Sequence, residues 1–131
     1  MALEPAAVQS VVQRYFAAIR ALNRDAWVAL FSPNAELRDP AHAPPKRGHG
    51  ELRDFFDLIA GLFSSIEIEP DEIYVCGDST AVKWTWSGIG KNGASVGTHG
   101  IDVFEIGADG RIASVRGYWD PVPMLRQLGA A

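Results

Sequence analysis

Three polar side chains occupy positions where the sequence pattern expects apolar ones, and their types suit proton-transfer chemistry. Tyr15 lies on the apolar stripe of a helical pattern. Asp39 shares a strand face with Leu37, and Asp102 shares a face with Phe104 on a later strand. An ionised carboxylate can take a proton from carbon, while a phenol or a neutral carboxylic acid can donate a hydrogen bond to a developing oxyanion.

Each of these residues also has a structural interpretation that prevails if the residue is considered alone. Tyr15 fits a core tyrosine with its hydroxyl at the edge, and Asp39 fits a turn residue ahead of Pro40. Asp102 fits a surface strand position or a structural salt bridge. It is therefore the combination of the three that indicates a functional site.

Other motifs that could carry chemistry have simpler explanations. Gly88, Gly90 and Gly93 spell G-x-G-x-x-G, but they join two predicted strands, and Asn92-Gly93 predicts a hairpin turn. Dinucleotide binding is therefore excluded. No serine or cysteine lies in a nucleophile elbow and there is no Walker-type loop, so covalent and phosphoryl chemistry have no support.

The histidines and the cysteine show no pattern of a metal site. His42, His49 and His99 lack the paired spacing of known ligand sets, so loop and surface positions are expected. The single cysteine, Cys76, rules out an intramolecular disulfide and is expected to be a small core group on a strand. We predict no metal and no chemical role for this thiol.

The elements that must position the three candidates change type along the chain. A long amphipathic helix is predicted from Pro5 to near Asn23, followed by a short helix capped by Asp25. A third helix is predicted over 52–63, with Glu51 near its start, after a proline-rich loop over 40–50 that could rim a pocket. The predicted strands are Ala35–Asp39, Ile66–Ile68, Glu72–Cys76, Thr80–Trp86, Val96–Ile106 and Arg111–Trp119.

Helices followed by hairpin-linked strands predict an α+β fold, with about three helices on a curved, mixed but mostly antiparallel sheet around an apolar pocket. The chain has 131 residues, of which 47% are hydrophobic and 21% charged, so residues 1–131 are expected to form one domain.

A net charge of -4, without a basic face, argues against nucleic acid as a partner. The N-terminus lacks a signal pattern and no apolar run could span a bilayer, so a cytoplasmic protein without membrane contact is expected.

The three candidates also lie within a wider resemblance, which covers roughly Val8 to Pro121. The order and spacing of several runs resemble the bacterial Δ5-3-ketosteroid isomerases, within the cone-shaped superfamily that includes nuclear transport factor 2 and the SnoaL-like polyketide cyclases. The runs are 11–15, Ala29-Leu30-Phe31, 37–40, Arg47-Gly48, 52–56, 101–103, 109–112 and 117–119.

That resemblance implies a role for each candidate residue. It implies that Asp39 is the base that moves a proton, and that Tyr15 and a neutral Asp102 hold the dienolate oxygen. Ketosteroid isomerase is itself the standard example of two aspartates that differ in protonation in this way, and the assignment is carried over from it. The implied activity is a steroid Δ5-isomerase that needs no cofactor.

The expected pocket wall consists of large flat groups suited to a rigid polycyclic substrate, which the resemblance implies is a steroid. Its members are Phe31, Phe56, Trp84, Trp86, Phe104 and Trp119. Phe31 and Phe56 stand where some relatives carry tyrosines that hydrogen-bond to the oxyanion tyrosine. Relatives pair through the outward face of the long C-terminal strands, where Ile101 and Val103 would otherwise face water, so a homodimer is expected.

Two other functions remain open at this level. Another enzyme on the same scaffold, such as a polyketide cyclase or an epoxide hydrolase, would also use buried carboxylates. The hydrolase would need an arginine beside them, and Arg38 has the wrong strand parity. A non-catalytic binding or dimerisation module would need none of the three groups.

Overall fold

A computed structural model describes residues 3–130 as an α+β fold in which helices cover one face of a six-stranded sheet. The helices are α1 (Pro5–Arg20), α2 (Arg24–Val28), α3 (Gly48–Ala60) and α4 (Val122–Gln127). The strands are β1 (Phe31–Arg38), β2 (Lys46–Arg47), β3 (Phe63–Cys76), β4 (Ser79–Gly90), β5 (Ser95–Ile106) and β6 (Ile112–Tyr118). The predicted fold class is confirmed, with α4 as a short fourth helix.

The strands follow the order β2-β1-β6-β5-β4-β3 across the sheet. Strands β1 and β6 pair in parallel, and every other neighbouring pair is antiparallel. Three long strands, β3, β4 and β5, follow one another through hairpins, whereas β1 reaches β6 from the helical half of the chain. The helical half therefore supplies one wall of the pocket and the sheet supplies the other.

Helix α1 ends earlier than predicted, and helix α2 has a different N-cap residue. Helix α1 stops at Arg20, because Leu22 adopts a left-handed conformation with φ 53° that a helix cannot contain. The cap of α2 is Asn23, whose side chain accepts a hydrogen bond from the Ala26 backbone N–H at 3.1 Å. Asp25, the predicted cap, lies within the first turn.

The region predicted as a loop over 40–50 contains more structure than expected. Strand β2 pairs with β1, and the Arg47 side chain meets Glu36 at 3.1 Å across that pair. Helix α3 then begins at Gly48 instead of residue 52. This pairing depends on β1 docking across residues 39–45, which is why the proline and glycine content of 40–50 does not reveal it.

Strand β3 was predicted as two separate strands and is one. It runs unbroken through Pro70, with a register shift between Pro70 and Glu72. Proline is tolerated because β3 is an edge strand, where one side of the backbone has no partner in the sheet. Cys76, at the end of this edge, is exposed, so its predicted core position is wrong.

The hairpin predicted at Asn92-Gly93 is confirmed and joins β4 to β5. Gly93 has φ 85°, and its N–H donates to the Gly90 carbonyl at 2.9 Å.

Across the described residues, no helix combines the length and the apolarity that crossing a bilayer requires.

Candidate active site

An apolar cavity lies between the helices and the concave face of the sheet. Helices α1, α2, α3 and α4 and strands β3, β4 and β5 contribute to its wall, together with residues after β1 and β6. Its lining residues are Tyr15, Ile19, Trp27, Asp39, Phe55, Phe56, Ile59, Ala60, Ile66, Ile68, Trp84, Trp86, Thr98, Asp102, Trp119 and Met124.

The structure brings the three candidate residues to this one cavity, although they are far apart in sequence. Tyr15 comes from the buried face of α1, and Asp102 comes from the inward face of β5. Asp39 follows directly after β1, where its side chain continues the inward face of Leu37. Arg38 points the other way and pairs with Glu36 at 2.8 Å, as its strand parity predicts.

Four of the six predicted wall residues line the cavity, namely Phe56, Trp84, Trp86 and Trp119. Phe31 and Phe104 do not, and their assignment to the wall is corrected. Both side chains are fully buried in the core, with ring centroids 6.1 Å and 4.9 Å from that of Tyr15. They form the packing layer behind Tyr15, which holds its ring at the cavity edge.

Gly117 makes room for the two carboxyl groups to approach one another. It lies directly opposite Asp102 in the pairing of β5 with β6. A Cβ atom at this position would lie 2.5 Å from Asp39 Oδ1 and 3.1 Å from Asp102 Oδ1. The absence of a side chain at Gly117 therefore lets both carboxyls face the same space.

The Asp39 carboxyl is held by an indole and has a raised pKa. Trp119 Nε1 donates a hydrogen bond to Asp39 Oδ1 at 2.5 Å. Burial raises the pKa of Asp39 to about 6, and the hydrogen bond from Trp119 opposes that rise by favouring the ionised form. At neutral pH the group is therefore largely a carboxylate that can still accept a proton.

Asp102 differs from Asp39 in its protonation. Burial raises the pKa of Asp102 well above its ordinary value, and the negative charge of Asp39 raises it further. The Trp84 indole N–H acts in the opposite direction, as a donor near the carboxyl, although its alignment falls short of a full hydrogen bond. Because the two carboxyls share one apolar site, a charge on Asp39 keeps Asp102 neutral.

Tyr15 remains a phenol for similar reasons. Burial raises its pKa well above the ordinary value, and Asp102 and Asp39 raise it further whenever they are ionised. The Trp27 indole N–H approaches the hydroxyl and lowers the pKa, again without the alignment of a full hydrogen bond. Each of the three candidate residues thus has one tryptophan whose indole N–H lowers its pKa.

Several cavity residues were not predicted from the sequence. They are Ile19, Trp27, Phe55, Ile59, Ala60, Ile66, Ile68, Thr98 and Met124. Alternation along β5 could have indicated Thr98, because residues 98 and 102 share a strand face. Trp27 and Met124 lie on two short helices whose orientation no local pattern encodes.

The histidines lie on different elements. His42 is in the loop after β1, His49 is near the start of α3 and contacts the Phe31 carbonyl at 2.9 Å, and His99 is exposed on β5. Among residues 3–130, no group of three or more histidine, cysteine or acidic side chains could hold a metal ion.

Comparison with known proteins assigns the family. The model of the SnoaL-like domain matches residues 12–115, which is most of the chain. The chain belongs to the SnoaL-like family. A steroid Delta-isomerase from Nocardioides simplex is 32% identical over 120 residues, which cover 92% of this chain and 95% of that protein. The resemblance drawn from the sequence motifs is thereby confirmed.

Solved structures of other proteins share this fold. SalBIII, an epoxide hydrolase/cyclase-like enzyme with a role in pyran ring formation in the polyether salinomycin, has a TM-score of 0.82 and 25% identity, covering 91% of this chain and 95% of its own. TsrD from Streptomyces laurentii has a TM-score of 0.79 and 26% identity, covering 98% and 99%. An NTF2-like protein of unknown function from Burkholderia pseudomallei, 19% identical, has a TM-score of 0.80, covering 93% and 97%.

The raised pKa of Asp102 predicts a stability effect with a definite sign. At about pH 8 the unfolded chain has released this proton, whereas the raised pKa makes the folded chain hold it more tightly, so ionisation favours unfolding. At about pH 3 the carboxyl is protonated in both states and the effect vanishes. Asp102→Asn should therefore raise Tm by a few degrees near pH 8 and by much less near pH 3.

Thermal unfolding followed by circular dichroism at both pH values measures this difference. Glu67→Gln is the matched control, because Glu67 is exposed on β3 and removing its charge should leave the pH dependence nearly unchanged. If Asp102→Asn changed Tm equally at both pH values, Asp102 would not be a group that burial keeps protonated.

Proposed function

We propose that this chain is a steroid Δ5-isomerase. In the proposed reaction, Asp39 takes a proton from the carbon between the C=C bond and a 3-keto group, and returns it two carbons further on. The double bond moves into conjugation with the carbonyl through a dienolate, whose oxygen accepts hydrogen bonds from Tyr15 and Asp102. The likeness to the steroid Delta-isomerase of Nocardioides simplex supports this choice of reaction.

One observation carries the proposal: a base and two proton-bearing donors face one apolar cavity. Tyr15, Asp39 and Asp102 all line it, and most of the remaining lining is aliphatic or aromatic. Such a wall favours a rigid apolar molecule, and the polar groups fix its orientation. A small apolar substrate, and in particular a steroid, fits this combination.

The raised pKa of Asp39 suits a base in this reaction. A pKa of about 6 leaves the carboxylate ionised at neutral pH and more basic than an exposed aspartate. The hydrogen bond from Trp119 fixes one carboxylate oxygen, so the other oxygen remains to take and return the proton. Asp39 lies at the start of the loop between β1 and β2, and the proposed reaction requires its free oxygen to reach both carbons.

Tyr15 and Asp102 suit the oxyanion site because both keep their protons. Donors fixed where negative charge develops typically affect rate by about 10²–10³-fold each. Because both donors are buried, water does not have to reorganise around them as the negative charge develops. Proton transfer of this kind requires no metal or organic cofactor, and we propose none.

A second candidate function follows from the likeness to SalBIII. A neutral Asp102 could protonate an epoxide oxygen while an ionised Asp39 activates a hydroxyl, as an epoxide hydrolase/cyclase-like reaction would require. In that reaction Tyr15 need not contact the reacting atoms. Turnover of an epoxy alcohol, together with no absorbance change for a Δ5-3-ketosteroid, would select this function over the isomerase.

The isomerase assignment predicts opposite binding effects for two conservative variants. Asp39→Asn removes the base, so turnover of a Δ5-3-ketosteroid should fall by about 10²–10⁴-fold, while affinity for a phenolic steroid is kept or tightened. Asp102→Asn donates a weaker hydrogen bond, so turnover should fall by about 10²-fold or less and affinity for the phenol should decrease. Ultraviolet absorbance of the conjugated product measures turnover, and calorimetry measures affinity.

The matched control is Asp54→Asn, which removes an exposed charge on α3 and should leave both measurements unchanged. Full activity of Asp39→Asn would refute its role as the base. Unchanged phenol affinity of Asp102→Asn would remove that residue from the proposed oxyanion site.

Trp27 offers a separate prediction, because its indole N–H lowers the pKa of Tyr15, an effect that the resemblance assigns to tyrosines in some relatives. Its ring centroid lies 5.9 Å from Tyr15 and 5.3 Å from Phe56, and Phe56 occupies one of the two positions of those tyrosines. A donor to the Tyr15 oxygen makes the phenol a stronger donor to the substrate. Trp27→Phe should therefore lower kcat by about 3- to 10-fold with little change in KM.

Steady-state kinetics and phenol affinity measure this role. Adding Phe56→Tyr to Trp27→Phe should restore part of kcat, because a tyrosine hydroxyl returns to the cavity near Tyr15. A loss of Tm without a change in kcat would mean that Trp27 only packs against its neighbours.

We also propose that the protein is a homodimer through the outward face of β5 and β6. Ile101 and Tyr118 are cross-strand neighbours there, 45% and 49% exposed, and Val103 lies half-buried on the same face. Sedimentation should give a dimer at micromolar concentration, and Ile101→Glu should shift it to a monomer. Leu58→Glu, at an exposed position on α3, is the control that should remain dimeric. A monomeric wild type would contradict the proposal.

A further inference from the structure

Two tryptophan rings, which we call the indole pair (Trp84 and Trp119), meet above Gly100 on the cavity face of the sheet. Trp84 is the direct partner of Gly100 in the pairing of β4 with β5. On the other side of β5, the pairing with β6 reaches Ile101 and Tyr118, and Trp119 is the next residue of the chain. The two rings pack edge to face, with centroids 6.0 Å apart and an interplanar angle of 71°. Gly100 therefore lies between the two members of the indole pair.

Space, and not backbone conformation, requires a glycine at position 100. Gly100 lies outside the left-handed region, so an alanine could adopt its backbone conformation. A Cβ atom there would lie 2.7 Å from Trp84 Cζ2, 2.8 Å from Trp119 Cβ and 2.8 Å from the Tyr118 carbonyl oxygen. All three distances are too short for a Cβ contact. A glycine inside a strand commonly marks such a close approach, and here an added methyl group would have to displace the indole pair or the end of β6.

The indole pair also reaches both carboxyl groups of the cavity. Trp119 Nε1 donates a hydrogen bond to Asp39 Oδ1 at 2.5 Å. The Trp84 indole approaches Asp102, which lies two residues after Gly100 on the same face of β5. All four of these side chains line the cavity. A displacement of the indole pair would thus be felt at the candidate base and at the candidate oxyanion donor.

We propose that Gly100 is a positioning residue, whose missing side chain seats the indole pair so that the Trp119 N–H is held against the Asp39 carboxylate. This role differs from that of Gly117, which leaves room for the two carboxyl groups themselves. Gly100 touches neither carboxyl group and acts only through the rings. The seating of the rings is a property of the free protein, whereas its effect on turnover rests on the proposed function.

The pKa of Asp39 reports whether the ring is seated. Among the described residues that line the cavity, the other titratable groups are Tyr15 and Asp102, and both have pKa values raised well above their ordinary values. Both therefore stay protonated while Asp39 titrates. Gly100→Ala should move the Trp119 N–H away from the carboxylate and so remove a donor that favours the ionised form. The pKa of Asp39 should rise above its wild-type value of about 6.

Nuclear magnetic resonance of the free protein measures this change without a substrate. The carbon signal of the side-chain carboxyl gives the pKa of Asp39, with Asp39→Asn to assign it, and the indole N–H signal of Trp119 reports its hydrogen bond. Gly100→Ala should raise the pKa and move the indole signal upfield. Gly97→Ala is the matched control on the same strand and should change neither, because Gly97 is exposed and its added Cβ would lie 3.5 Å from the nearest atom, the Trp86 carbonyl oxygen.

Two further variants separate positioning from a general loosening of the cavity. Trp119→Phe removes the donor, so adding Gly100→Ala to it should raise the pKa of Asp39 no further. If Gly100→Ala does not fold, Trp84→Leu removes the ring that packs against Trp119 and should also raise the pKa of Asp39. An unchanged pKa in whichever of these single variants folds, or a rise that Gly100→Ala still causes without the Trp119 indole, would overturn the proposal.

Kinetics connect the positioning role to turnover and keep it distinct from the proposed function. For a Δ5-3-ketosteroid, Gly100→Ala should move the acidic limb of kcat/KM to higher pH and lower kcat at pH 7 by about 3- to 10-fold, the effect of one lost hydrogen bond. Gly97→Ala should retain the wild-type profile. No isomerisation by the wild type, with the Asp39 pKa raised in Gly100→Ala, would refute the isomerase and support the positioning role. Isomerisation by Gly100→Ala with an unchanged acidic limb and an unchanged Trp119 signal would refute the positioning role alone.

Discussion

The burial of two carboxyl groups in one apolar cavity is the interaction on which the rest of the site depends. Taking a carboxylate out of water disfavours its charged form, and two such groups side by side cannot both ionise readily. Asp39 has a pKa of about 6 and Asp102 a pKa well above its ordinary value. Gly117 allows this arrangement, because any side chain there would meet both carboxyls. Burial, together with the hydrogen bond from Trp119 to Asp39, thus gives two residues of the same type different pKa values.

Tryptophan side chains provide hydrogen-bond donors near the polar groups of this apolar cavity. Polar groups need hydrogen-bond partners, but an apolar ligand needs a wall without exposed charge. An indole offers both, because it presents a large apolar ring and a single N–H. Trp119 donates to Asp39, while Trp27 and Trp84 approach Tyr15 and Asp102. The three candidate groups are adjusted without any additional charged residue at the cavity wall.

The sequence by itself determined the class of fold and the candidate chemistry. Helical spacing and strand alternation are local properties, so the inward faces that carry Tyr15 and Asp102 could be read directly. The Asn92-Gly93 hairpin could be read for the same reason, because backbone conformation there depends on two residues. The family resemblance supplied the roles of the three residues, and it agrees with the SnoaL-like family assignment.

The tertiary structure alone decided which inward residues reach the cavity. Phe104 has the same parity as Asp102, yet it packs behind Tyr15 with no exposed surface, because α1 covers that part of the sheet. Pairing with a neighbouring strand likewise extended β3 through Pro70 and placed β2 beside β1. Trp27 reaches Tyr15 from a five-residue helix whose docking no local pattern encodes. Alternation fixes the face of an element, but the packing of one element on another fixes what that face contacts.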